Sequence, residues 1–289
     1  MEETLKATLR GLAEKYEICS FCDEDPSQFL RWYGNATEMG AGFTRGGVAA
    51  GGKVNITDVE TASFIAAMLA FGNRKQFIPK ISYILELADK VSGSISKWII
   101  SGSYRCSFPT GTKKFYRFYS YDDMHDFFSD LGNLIEEGEK SIKFVESTSV
   151  GFTSKMWGAF GEALRLRWVQ EEAGEKVLLA DIVSSAFPHS SIVPKGKVSA
   201  NKRIHMFLRW MVRQNSPVDL GIWSWYSAGD LLIPLDVHVM EESIGLGLLP
   251  ENAKATRKTS IELTKAMKEI WPLDPCKGDF ALFGLGVDK

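Results

Sequence analysis

A lysine and an aspartate 34 residues apart are the pair in this sequence best suited to chemistry: Lys202, in Asn-Lys-Arg-Ile-His, and Asp236, in Ile-Pro-Leu-Asp-Val-His-Val. Ser199 is a good N-cap for a helix whose buried stripe is Ile204, Phe207, Leu208 and Met211. Lys202 then falls in the first turn, where the helix dipole disfavours a cation by up to ~1 kcal/mol. A lysine kept there is either simply exposed or held for use as an amine nucleophile. Asp236 ends the apolar run from Leu232 and opens a helix carrying Val237, Met240 and Ile244. Its plain reading is an N-cap carboxylate worth about 1 kcal/mol. No Glu or Gln follows at the third position, so no capping box strengthens that reading.

The charge pattern around the lysine points to phosphate. From Ile182 to Val218 no acid occurs in 37 positions, while Lys195, Lys197, Lys202, Arg203, Arg209 and Arg213 contribute +6. The formal net charge of −2 averages over this island and excludes nothing. Lys202, Met206, Arg209 and Arg213 share a second face of the lysine helix. Lys197, Arg203, Arg209 and Arg213 are therefore candidate phosphate contacts, and the loop at Gly196 can turn backbone N–H groups toward an anion.

Other motifs are weaker. Gly47-Val-Ala-Ala-Gly-Gly-Lys53 approaches a phosphate-binding loop, but Val54 stands where magnesium needs a hydroxyl. Cys19-Ser-Phe-Cys22 lacks a second ligand pair, and no two of His125, His189, His205 and His238 have helical ligand spacing. No metal and no dissociable cofactor is expected. Residues 108–128 interleave aromatics with Lys113, Lys114 and Arg117, a pattern that suits base stacking. Core packing with the cations facing water is the favoured reading.

The elements that must position these residues are helical. Periods near 3.6 predict helices over 3–17, 58–70 with Asp58 as cap, and from Pro79 onward. Another begins at Ser120, and more are expected over 155–173, 175–186, 199–214, 237–246 and 257–270, with a short one from about 279. Strand patterns are few. The run GAGFTRGGVAAGGKVN supplies six glycines and makes 34–57 a long surface loop. At 289 residues, with 45% apolar and 24% charged residues, the chain has the composition of a globular protein and not of a disordered one. It has no apolar run long enough to span a membrane. A charged, amphipathic N-terminus and four cysteines fit a cytoplasmic protein.

The segment I-P-L-D-V-H-V, followed by G-L-G-L-L, resembles the part of helix-hairpin-helix DNA glycosylases in which an Asp opens a helix at the catalytic cleft. N-K-R-I-H-M-F-L-R-W-M-V-R resembles their lysine-bearing helix. The Lys202-to-Asp236 interval and Asp279-Phe-Ala-Leu-Phe283 are similar to the archaeal 8-oxoguanine DNA glycosylase branch. A-x-L-A-F-G and F-L-R-W-M-V-R also resemble marks of a group of uncharacterised bacterial proteins. Two departures stand out: the Leu-Pro-Gly-x-Gly hairpin signature and the four-cysteine iron–sulfur motif are both absent.

The resemblance implies an all-α fold of two helical lobes flanking a DNA cleft. The expected division is 1–57, an N-terminal helix plus Gly-rich loop; 58–215, a lobe ending in the lysine helix; and 216–289, a C-terminal lobe packed with the N-terminal helix. It further implies a monomeric base-excision DNA glycosylase with an AP-lyase step, acting on double-stranded DNA that carries a damaged purine such as 8-oxoguanine. Lys202 is then the nucleophile, Asp236 the carboxylate, and Asp279 and Phe283 the contacts to the everted base. The alternatives are a non-catalytic nucleic-acid-binding protein of the same fold and, less favoured, a helical small-molecule enzyme.

Overall fold

The structure, a computed structural model, describes residues 1–33, 55–145 and 178–287. The expected helix over 155–173, the phosphate-loop look-alike and nearly all of the glycine-rich segment lie outside these residues. The described residues fold into helices joined by irregular segments and one short hairpin, so the protein is all-α. None of the described helices is long and apolar enough to cross a membrane.

The chain forms two units. One holds residues 1–28 and 196–287, the other 29–33, 55–145 and 178–195. This corrects the expected division at 215/216, because the lysine helix belongs with the N-terminal helix and the C-terminal helices. The boundary follows Lys195. Apolar periodicity marks helices but does not say which neighbours share their core.

In the second unit, α2 (Ile56–Leu69) is the central element, buried from Thr57 to Leu69 instead of along one stripe. Its Phe64 clusters with Phe127 and Phe187, with centroids 6.0 and 4.9 Å away and those two rings 6.0 Å from each other. Asn55, not Asp58, caps α2 by accepting the Thr57 N–H. Asp58 is buried, and its Oδ1 accepts the Ser94 hydroxyl and the Ser96 N–H at 2.6 and 2.8 Å. The carboxylate thereby ties α2 to α4 (Ile95–Ile100), which follows α3 (Arg74–Ser92). Asn73 caps α3, so Pro79 lies inside that helix, on its exposed side, and not in its first turn.

Helix α5 (Tyr104–Ser107), strands β1 (Lys114–Tyr116) and β2 (Tyr119–Ser120), and α6 (Tyr121–Val145) follow. Ser120 and Asp123 form a reciprocal cap at the start of α6, with N–H to side-chain bonds of 2.7 and 3.1 Å. Helix α7 (Leu179–Ser185) completes this unit. Beyond it, Asp130 of α6 accepts the backbone N–H groups of His189 and Ser190, fastening that turn to the helix.

In the first unit, α1 (Glu3–Tyr16) and the last helix, Lys277–Val287, pack directly together. The latter approach is possible because Gly284 faces Tyr16, where any Cβ would overlap the aromatic ring. Between them in sequence lie the lysine helix α8 (Lys202–Val212), α9 (Val237–Gly245) and α10 (Arg257–Lys268), which makes the final helix α11.

Two glycine replacements should separate close approach from helix propensity. Gly284→Ala should cost about 1–3 kcal/mol, because the ring must move. Gly11→Ala, at a helix position with nothing within 4 Å, should stabilise by about 0.4–1 kcal/mol. Urea unfolding of both variants checks the opposite signs.

Candidate active site

The lysine helix begins at Lys202, but it is not capped as the sequence suggests. Asn201, in the left-handed region at φ 46°, is the N-cap; Ser199 instead donates its hydroxyl to the Asn201 side-chain oxygen at 2.5 Å. The Asn201 amide donates to the Gly196 carbonyl at 2.7 Å, closing the loop before the helix. Asn enters this region more easily than most residues, and its amide accepts one of these bonds through its oxygen and donates the other through its nitrogen. The segment is fixed from outside as well: Arg257 N–H donates to the Val198 carbonyl at 2.8 Å, and Ser199 bridges Thr256.

Asp236 reaches the lysine from a different direction. The strand-like run Leu231–Leu235 is buried, and α10 grips it at Ile233. Ile233 N–H donates to the Thr264 hydroxyl at 3.0 Å, while the Ser260 hydroxyl donates to the Ile233 carbonyl at 2.9 Å. The sequence reading passed over Ser260 and Thr264. Their signal is two hydroxyls four apart on the apolar side of an otherwise Lys- and Glu-rich helix.

The result is a closed pair. Lys202 Nζ lies 2.8 Å from Asp236 Oδ2, with the lysine side chain about one-third exposed and the aspartate less so. Asp236 Oδ1 accepts the Val239 N–H at 2.9 Å, so the residue is both the cap of α9 and the lysine's partner. Burial pushes the Asp236 carboxyl up, but the Lys202 ammonium and the Val239 N–H outweigh it and hold the carboxyl below its ordinary value. Lys202 Nζ is also 6.0 Å from the centre of the half-buried Phe283 ring. The structure therefore brings Lys202, Asp236 and Phe283 together.

Deeper along the same helix, the expected phosphate contacts need correction. Arg209 and Arg213 are buried, 5% and 2% exposed, and cannot reach a phosphate. Arg209 donates to Asp219 at 3.2 Å and to Asp279 through a short bond. Arg213 donates to Asp219 at 2.5 Å, to Asp274 at 2.7 and 2.8 Å, and to Glu17 at 2.9 Å. The signal was present: Phe207 to Val212 is otherwise wholly apolar, the mark of a helix buried all round. Of the remaining candidates, Lys197 is exposed and Arg203 half-buried.

Asp279 is corrected too. It is 5% exposed and its Oδ2 accepts from Arg209, so in this structure it is paired inside the first unit and not open to a base. Burial raises its carboxyl to about 6 despite the guanidinium beside it. Cys22 is buried against Val218 and Phe280 while Cys19 is exposed, so the two cysteines face different surroundings. Among the described residues, no cluster of His, Cys, Asp and Glu is arranged to hold a metal ion.

Fold and site together define a helical protein with an amine–carboxylate pair at the openings of two helices. A family model described as a protein of unknown function, DUF2400, matches residues 53–288, and the chain belongs to that family. No curated protein and no solved structure matches it.

The raised Asp279 carboxyl has a measurable consequence. Its folded state holds the proton more tightly than the unfolded chain does, so its contribution to stability falls as pH rises from about 4 through about 6. Wild type minus Asp279→Asn, from urea unfolding across that range, should show this decline and then flatten above it.

Proposed function

We propose that the protein is a base-excision DNA glycosylase with a helix-hairpin-helix-like fold, using Lys202 as nucleophile and Asp236 as its carboxylate. The observation that carries the reading is the 2.8 Å contact between the two side chains, each held by backbone anchoring at a helix opening. The similarity of the two segments to those of the glycosylases supports it.

In this reading, duplex DNA binds through its backbone and a damaged purine such as 8-oxoguanine is everted. Asp236 takes the ammonium proton, and the Lys202 amine attacks C1′. The glycosidic bond breaks with its electron pair passing to the base, which leaves with the proton that Asp236 returns. The new C1′ ammonium gives up its proton as O4′ takes one on ring opening. Opening of the sugar gives a Schiff base, and loss of a C2′ proton then expels the 3′ phosphate. Once it has given its proton to the base, the Asp236 carboxylate stabilises positive charge on the sugar, an electrostatic role suited to a largely covered carboxylate. Phe283, beside the amine, stacks on the base. Asp279 acts from behind that helix, by holding Arg209.

A second reading rests on the same contact. An ammonium closed onto a carboxylate is not a nucleophile until the proton moves, which also fits a protein that binds nucleic acid without reacting.

Borohydride reduction on duplexes carrying 8-oxoguanine or an abasic site decides between them. Wild type should give a covalent adduct, and Lys202→Gln none. An equal adduct from Lys202→Gln would remove the lysine from the mechanism, and salt-dependent binding with no adduct would favour the binding-only reading. Asp236→Asn should cut turnover by about 10²–10³-fold while DNA affinity changes little. Its amide oxygen can still accept the Val239 N–H, so loss of folding would mark the residue as purely structural.

A further inference from the structure

Residues 90–121, between Asp89 and Asp122, contain six bases and no acid: Lys90, Lys97, Arg105, Lys113, Lys114 and Arg117. All are exposed. The 182–218 segment has the same number, but Arg209 and Arg213 are consumed by buried ion pairs and Lys202 by Asp236. The cations open to a polyanion are therefore concentrated elsewhere than the charge pattern suggested.

The hairpin within this segment has an unusual tip. Lys114 pairs with Ser120 and Tyr116 with Tyr119, leaving Arg117 and Phe118 as the turn. Phe115, Tyr116 and Tyr119 are buried, as core packing predicts for this aromatic run, but Phe118 is 58% exposed. Its ring is held from beneath by Phe71 and Tyr119, with centroids at 5.3 and 4.5 Å. Lys114 Nζ donates to the Phe118 carbonyl at 2.7 Å, and the Tyr116 hydroxyl donates to the Phe71 carbonyl. Arg117 adopts φ 50° and lays its guanidinium over Gly72, itself at φ 81°, where a Cβ would strike it. Just beyond Gly72, Lys75 is exposed in the first turn of α3. An exposed aromatic face at a hairpin tip, with Lys114 bonded to its carbonyl and Arg117 beside it, matches the two surfaces of a nucleotide chain, the base and the phosphate.

We propose that this hairpin tip is a DNA contact in which Phe118 stacks on an unpaired or end-stacked base while Lys75, Lys113 and Arg117 take neighbouring phosphates. The inference rests on reading the chain as a DNA-binding protein, though not on the lysine chemistry. A lone ring with little apolar area around it is a poor membrane anchor, which needs a broad buried face.

The probe is a duplex with a one-nucleotide gap flanked by 2-aminopurine, titrated with the full chain and read by anisotropy and by 2-aminopurine fluorescence. Phe118→Ala should weaken binding about tenfold and abolish the fluorescence change, while Phe118→Trp keeps both. The Lys75→Gln, Lys113→Gln double variant should reduce the slope of log affinity against log salt by about 1–2. Unfolding in urea should show Phe118→Ala folded, since the ring is mostly outside the core. If that variant binds and reports as wild type does, the hairpin contact is wrong while DNA binding stands. If wild type shows no salt-sensitive binding, both fall. If the substitution alters sedimentation of the protein alone, or binding to anionic vesicles, with DNA affinity unchanged, the tip serves another partner and the proposal is overturned.

Discussion

Two arginines four residues apart, Arg209 on α8 and Arg213 at its C-cap, buried among four carboxylates, hold the first unit together. Arg209 and Arg213 reach Asp219 in the following loop, Asp274 in the turn before α11, Asp279 on α11 and Glu17 at the end of α1. Buried charges are costly unless paired and fully hydrogen-bonded, and removing one partner from such a pair typically costs about 3–5 kcal/mol. The guanidinium fork suits this task because its donors are planar and fixed, so several carboxylates from different elements can meet one side chain. Phe280 lies between, 4.4 Å from one guanidinium and 5.2 Å from the other, adding an aromatic face to the cluster.

The position of Lys202 is a consequence of this clamp. The lysine and the two arginines share one helical face, with the arginines seven and eleven residues along. Locking the far end of the helix therefore sets the direction in which its first residue points. The C-terminal carbonyls are secured by chain that follows: Leu220 and Gly221 donate to the Trp210 carbonyl and Trp223 to that of Met211. The Asp236 side of the pair is fixed independently, by the Ser260 and Thr264 hydroxyls on α10. In the glycosylase reading proposed above, an amine and a carboxylate held by two separately braced segments would lose little further freedom on reaching a transition state, which is the condition for effective orientation.

Electrostatics in this chain divide into two kinds that composition cannot distinguish. Some cations are internal structural parts, as Arg209 and Arg213 are, and some face water, as Lys113 and Arg117 do. An acid-free stretch looks the same in either case, because the neutralising carboxylates come from distant sequence: Glu17 and Asp274 are 196 and 61 residues from Arg213. Only the exposed kind can exchange its counterions for phosphates.

A period of 3.6 and local capping residues are short-range properties, so most of the described helices are legible in the sequence, though the short α4 and α5 are not. Helices over 237–246 and 257–270 lie within a residue or two of α9 and α10, and the aromatic run 108–128 was rightly expected to be mostly core. The sequence also singled out Lys202 and Asp236 from residue type and spacing. The N-caps are Asn55 and Asn201 in place of the expected Asp58 and Ser199, because the backbone conformation at each helix start selects the residue. Asn55 supplies a side-chain oxygen, whereas Asn201 caps α8 by its left-handed backbone with no side-chain bond to the helix. Tertiary structure alone decided that Lys202 and Asp236 touch, that two of the expected phosphate contacts are buried, and that one ring of the aromatic run stays outside. Each of those outcomes depends on which distant residues come within a few ångströms, and no local pattern of residues carries that distance.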